Sequence, residues 1–138
     1  MQRILALDVG DKRIGIAVSD PLGFTAQGLE TYARRESLEQ DVAYILSLAR
    51  HYQPVRLLFG MPRNMDGSYG FQSEKVQAFA DAVLEHWDGE YDFYDERLTT
   101  AAAERMLIDA DVSRQKRRKV IDKLAAVMIL QGYLETQR

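Results

Sequence analysis

The chain has no cysteine, two histidines, three prolines and one tryptophan among 138 residues. Without thiols it has neither a disulfide framework nor a thiolate zinc site. His51 and His86 stand near expected helix ends, form no metal-spaced cluster and read as structural residues. Ser19 has no evident histidine partner, so a nucleophilic triad is unsupported. No run reaches the roughly 20 apolar residues of a membrane span. The first residues enter a strand pattern directly, without signal-peptide features. Repeats, low-complexity tracts and linkers are missing too. These absences predict a cytoplasmic protein without membrane contact. They also predict one domain, residues 1–138, long enough to bury a normal core.

An excess of basic residues is also lacking, since the formal net charge is −3. Averaged over the surface, that argues against a nucleic-acid partner. The positive charge is not spread evenly, however. Six of the ten residues from 114 to 123 are basic: Arg114, Lys116, Arg117, Arg118, Lys119 and Lys123. Such a run is often just a solvated helix face. At a helix start it also concentrates positive potential where free N–H groups favour phosphate.

The apolar pattern predicts the elements. Residues 3–9 and 13–20 read as an antiparallel hairpin whose turn uses Gly10 for positive φ. Residues 25–33 read as a third, more exposed strand. Ser37 to Gln40 is a capping-box pattern, and Leu38, Val42, Ile45, Leu46 and Ala49 fall on one face of the helix that follows. That helix ends near His51, before Pro54. Residues 55–60 read as a strand reached by a parallel crossover, and residues 60–70 as an exposed loop rich in turn residues. Val76, Phe79, Ala80, Val83, Leu84 and Trp87 predict a second helix with Gly89 as its stop. A fifth strand covers 91–95, a helix about 101–110, and a last helix about 114–135 with a buried middle at 124–130. The order βββαβαβαα predicts an α/β fold, a mixed five-stranded sheet with helices on its faces.

Three acids stand out by position. Asp8 sits near the end of an apolar strand, where an uncompensated charge is costly. Glu96 ends the fifth strand. Asp122 lies one turn before Ala125, Ala126 and Ile129 on the last helix. Taken singly, Glu96 reads as a loop acid and Asp122 as a partner for Arg118 or Lys119. In conjunction they are the hard oxygen ligands that Mg²⁺ or Mn²⁺ requires. Such an ion can activate water and stabilise charge on a phosphodiester. Arg63, Asn64, Ser68 and Tyr69 in the 60–70 loop suit a backbone phosphate or a base, or an ordinary connection.

Three blocks carry a family resemblance: Asp8 to Asp20, Gly60 to Ser68, and Asp95 to Thr100. A fourth is Asp122 followed by Ala125, Ala126, Ile129 and Leu130. Together they resemble the signature blocks of the bacterial YqgF/RuvX family, in the same order and over essentially the whole chain. The resemblance implies an RNase H-like fold, related to the Holliday-junction resolvase RuvC. It implies a cytoplasmic nuclease acting in 5′-end maturation of the small-subunit ribosomal RNA precursor, with Holliday-junction resolution as the older alternative. Carried over, the catalytic and metal-binding acids are Asp8, Glu96 and Asp122. Arg13, Arg63, Asn64, Arg97, Arg114, Lys116, Arg117, Arg118 and Lys119 are the expected nucleic-acid contacts. Two-metal relatives commonly carry a fourth acid; its position here is Ala125. Asp95 is expected on the opposite side of its strand, with Asp11 and Asp20 as substitutes, so one metal or two stays open.

Two other readings compete. A non-catalytic RNA-binding or ribosome-assembly factor would bind RNA salt-sensitively without a metal-dependent product. The Asp8-Val9-Gly10 opening also resembles the phosphate loop of the actin and sugar-kinase group, but those proteins close two lobes over a nucleotide and this chain supplies one. A junction resolvase would need two active sites. The sequence shows no dimerisation motif, which leaves a monomer or a weak homodimer, with the small ribosomal subunit as a candidate partner.

Overall fold

The computed structural model describes residues 2–62, 66, 68–95 and 114–137, with the backbone alone over 114–123. The helix expected at 101–110 lies outside the described residues, as do Arg63, Asn64, Glu96 and Arg97.

β1 (Arg3–Val9), β2 (Arg13–Ser19) and β3 (Ala26–Ala33) form the expected antiparallel meander. The β1–β2 turn closes through Gly10, whose N–H donates to the Arg13 carbonyl over 2.8 Å. Gly10 does not supply a positive φ; among the described glycines Gly23 does, at 76°. Gly10 supplies room instead, because a Cβ there would stand 2.8 Å from the Arg13 carbonyl oxygen. At the far end of β2, Asp20 Oδ1 accepts from the amides of Phe24 (2.7 Å) and Thr25 (2.8 Å) and fixes the turn into β3. The Thr25 amide, helped by that of Phe24, holds the Asp20 carboxyl below the ordinary carboxylate range.

α1 (Leu38–His51) starts as the sequence predicts, with Ser37 Oγ accepting from the Gln40 amide over 3.2 Å. It buries Val42, Ile45, Leu46 and Ala49. Leu38 is exposed, and Asp41, 1% exposed, is buried on that face. β4 (Val55–Met61) pairs parallel with β1, and β5 (Tyr91–Asp95) pairs parallel with β4. The sheet order is therefore β3-β2-β1-β4-β5, with β1 in the centre. Between the last two strands, α2 (Phe71–Leu84) ends with Glu85 as its cap. Gly89 is therefore not its stop, and Trp87 lies beyond the helix. Trp87 instead donates from Nε1 to the Glu90 carbonyl over 3.0 Å. Its ring covers Gly89, where a Cβ would come within 2.6 Å of it.

Strand alternation sorts the core into two layers. Leu5, Leu7, Ile14, Ile16, Leu57 and Phe59 point to α1 and α2. Ile4, Ala6, Ala17 and Leu58 point the other way, against Ala126, Ile129, Leu130, Tyr133 and Leu134 of α3 (Arg114–Thr136). Ala6 and Ala17, directly opposed on β1 and β2, are small, which leaves room for the helix over those two strands. Full burial of each Leu, Ile or Phe in these layers is worth about 1.5–3 kcal/mol. Val127 and Met128 are half-buried, so the middle of α3 is less enclosed than its composition suggests. Among the described residues no helix is long and apolar enough to cross a membrane.

Candidate active site

Asp8 is the even-numbered successor of Ile4 and Ala6, so the alternation that buries those two against α3 puts Asp8 on the same face. It is half-buried near the C-terminal end of the central strand. Its register partner on β2 is Gly15. One register step beyond Leu7↔Phe59 brings Gly60 of β4 alongside. A carboxylate flanked by glycine on both neighbouring strands is not walled in by side chains from the sheet. Arg13 shares this face, two residues from Gly15 along β2, a diagonal neighbour within reach of a long side chain. The C-terminal rim of parallel strands is where open α/β sheets bind ligands.

α3 packs on this face, where Leu134 near its C-terminal end and Gln137 just past it line one cleft with Ile4, at the N-terminal end of β1. Its N-terminal half therefore runs toward the rim that carries Asp8. Asp122 is one turn before Ala126 on this helix, and Arg114, Lys116, Arg117, Arg118 and Lys119 fall in its first turns. The structure thus brings Asp8 and Arg13 onto one face and lays the helix of Asp122 across it. Among the described residues no three His, Cys, Asp or Glu side chains converge; the Asp122 side chain and Glu96 are outside that set. The donor chemistry nonetheless fits a hard divalent cation, because Asp8 offers carboxylate oxygens beside a small-residue surface.

Two proposed substitutes for a fourth acid are engaged elsewhere. Asp20 is at the opposite end of the sheet, in the β2–β3 turn. Asp11 pairs with Lys75 of α2, Nζ to Oδ1 at 3.1 Å.

The rim is braced by a hydrogen-bond network that the sequence did not reveal. Asp41 Oδ2 accepts from Arg34 Nε over 2.9 Å, and its Oδ1 accepts from the Tyr32 hydroxyl (3.0 Å) and the Arg35 amide (2.8 Å). The same Arg34 donates from Nη1 to the Gly10 carbonyl over 2.9 Å, two residues past Asp8, and stacks over Phe79 of α2. Burial pushes the Asp41 carboxyl up, but the Arg35 amide, the Arg34 guanidinium and the Tyr32 hydroxyl outweigh it and hold the group below the ordinary range. Ser73 of α2 donates to the Pro62 carbonyl just past β4, tying α2 to the same rim. The signal for Asp41 was its position four residues before Ile45 on the apolar face of α1.

The RuvX family model, described as Holliday junction resolvase, matches residues 2–136. Curated relatives named "Putative pre-16S rRNA nuclease" are 57% identical in Desulforamulus reducens, over 97% of both chains. In Halalkalibacterium halodurans the identity is 56%, over 99% of this chain and 98% of the relative. Among solved structures, RuvC of T. thermophilus in complex with a Holliday junction substrate superposes with a TM-score of 0.61 at 15% identity. That match covers 99% of this chain and 96% of the other and shows a shared RNase H-like fold. The chain belongs to the RuvX family, a family of nucleases on the RNase H-like fold.

Proposed function

We propose that this chain is a divalent-metal-dependent nuclease that matures the 5′ end of pre-16S rRNA in the cytoplasm, with Asp8, Glu96 and Asp122 as its metal-binding acids. The observation that carries the reading is the place of Asp8: on the central strand, at the C-terminal rim, on the face that α3 covers. Glu96 is two residues beyond Tyr94, which packs on that same face. Mg²⁺ or Mn²⁺ bound there would supply an activated water and charge stabilisation at the scissile phosphate.

The chain's own residues have separable tasks. Asp8 would be the central ligand, with Glu96 and Asp122 completing the set from two further elements. Arg13, on the same face, would hold a phosphate oxygen next to the one being attacked. Arg63, Asn64 and Arg97, with Arg114, Lys116, Arg117, Arg118 and Lys119, would grip the backbone on either side. The N-terminal end of α3 adds its own partial positive charge. Removing a cluster cation should flatten the salt dependence of binding by about 0.7 in log–log slope per lost phosphate contact on a single strand.

The family description favours a second reading, resolution of branched DNA, which requires two active sites and hence a homodimer. Cleavage of a pre-rRNA fragment spanning the small-subunit 5′ end and of a four-way DNA junction, each with Mg²⁺, Mn²⁺ or chelator, separates the two. Metal-dependent cutting of the RNA alone supports maturation. Symmetric cutting of the junction alone replaces it with resolution, and binding without cutting replaces both with a non-catalytic assembly role.

A further inference from the structure

Phe71 is the most exposed of the large hydrophobic residues described, at 72%, and Tyr69 beside it is 65% exposed. Neither contributes to the two core layers. Phe71 opens α2 and is held in place. Ser73, two residues on, is nearly buried and bonds the Pro62 carbonyl just past β4, and the Gly70 amide donates to Ser73 Oγ over 3.4 Å. Lys75 Nζ stands 4.5 Å from the Phe71 ring centroid. The same ammonium reaches Asp11 in the β1–β2 turn at 3.1 Å, which connects this ledge to the turn that follows Asp8.

We infer that Phe71, with Lys75 beneath it, is a stacking platform for an unpaired base of the substrate strand, and so selects single-stranded RNA at this rim. This rests on the nuclease reading above. An aromatic face takes any base by stacking, without base-edge readout. The cation over the ring adds attraction to one face and leaves the ring exposed for the other. The Lys75–Asp11 pair is exposed on both sides, and such pairs contribute little. A strand phosphate can therefore take Lys75 from Asp11 at low cost. α2 lies on the sheet face opposite α3, so a strand touching Phe71 and Asp8 crosses the rim between them. The stacked base is then a neighbour of the scissile phosphate, in the stretch that must be unpaired to make that crossing. Paired bases keep their faces stacked on each other and offer none to Phe71.

The test is binding of the full-length chain, in Ca²⁺, to a fluorescein-labelled unpaired RNA oligonucleotide and to the same sequence as a duplex. Phe71→Ala is expected to weaken the unpaired RNA on the order of tenfold and leave the duplex unchanged. Phe71→Leu, which keeps bulk without a π face, should weaken it similarly, and Phe71→Trp should retain it. Leu22→Ala, an exposed apolar site at the other end of the sheet, serves as the control with wild-type affinity. Thermal melts check that Phe71→Ala folds, as expected for so exposed a side chain. Unchanged affinity of Phe71→Ala for unpaired RNA, equal weakening of the duplex, or full rescue by leucine would overturn the platform alone. A wild-type chain that binds neither RNA would overturn both the platform and the rRNA-maturation reading.

Discussion

Asp8 of β1 and Gly15 of β2 are direct register partners in the sheet, on the face that α3 covers. Directly opposed Cβ positions in an antiparallel pair are about 4.5–5.5 Å apart. The glycine therefore puts no side chain of its own beside the carboxylate, where almost any other residue would put carbon against it.

Gly15→Val tests that relationship. Valine suits a strand better than glycine does, but Gly15 is buried on the face that α3 covers, so the branched side chain should cost about 1–3 kcal/mol of stability. Its methyl groups would crowd the Asp8 carboxylate, and metal-dependent cleavage should drop at least about tenfold, which corresponds to roughly 1.4 kcal/mol. Initial rates taken well below the melting transition of the same preparation would show whether the folded variant has lost activity.

Asp41 gives the fold a specific acid sensitivity. Its carboxyl is held below the ordinary value of 3.8 in the folded chain. In the acid window just below that value the unfolded chain binds more protons, so stability rises with pH there. The contribution is fully present above the ordinary value and disappears as pH falls through the lower folded one. Denaturant titrations from neutral to acid pH should show Asp41→Asn losing less stability over that interval than wild type. Asp41→Ala, which leaves the half-buried Arg34 guanidinium, the Tyr32 hydroxyl and the Arg35 amide without their acceptor, should cost about 1–3 kcal/mol at neutral pH.

Gly132 sets how closely α3 approaches β5. A Cβ at that position would lie 2.4 Å from Tyr94 Oη and 3.0 Å from its Cζ. Gly132→Ala should therefore destabilise by about 1–3 kcal/mol through overpacking, despite the better helix propensity of alanine. In a Tyr94→Phe background the nearest clash is gone, and a double-mutant cycle should return a smaller cost.

The meander, the crossover into β4 and the helix start at Ser37 were legible from local patterns, as was the oddity of a carboxylate at Asp8 in an apolar strand. Strand alternation and helical spacing report burial directly, and Asp8 broke one of them. What stayed hidden depends on partners distant in sequence. Leu38 has the spacing of a core residue, yet Asp41 is buried because Arg34, Arg35 and Tyr32 satisfy it. Trp87 has helical spacing from Val83, yet it leaves the helix and bonds the Glu90 carbonyl over Gly89. Gly10 looked like a residue chosen for its dihedral freedom; the close approach of the Arg13 carbonyl explains it instead. Of the candidate site, the placing of Asp8 and Arg13 on one face follows from alternation once the register is known, and register is a property of the pairing. Phe71 gave no sign in sequence, because an exposed phenylalanine and a buried one occupy the first turn of a helix equally well.

The claim that matters most is that Asp8 anchors the metal site. Asp8→Asn keeps the shape of the side chain and removes its charge, and a melting curve checks that the variant is folded. Its Mn²⁺-dependent cleavage of the pre-rRNA fragment is predicted to fall by more than about 100-fold, beyond what loss of an outer-shell partner costs. A folded Asp8→Asn chain that cuts at the wild-type rate would contradict the account.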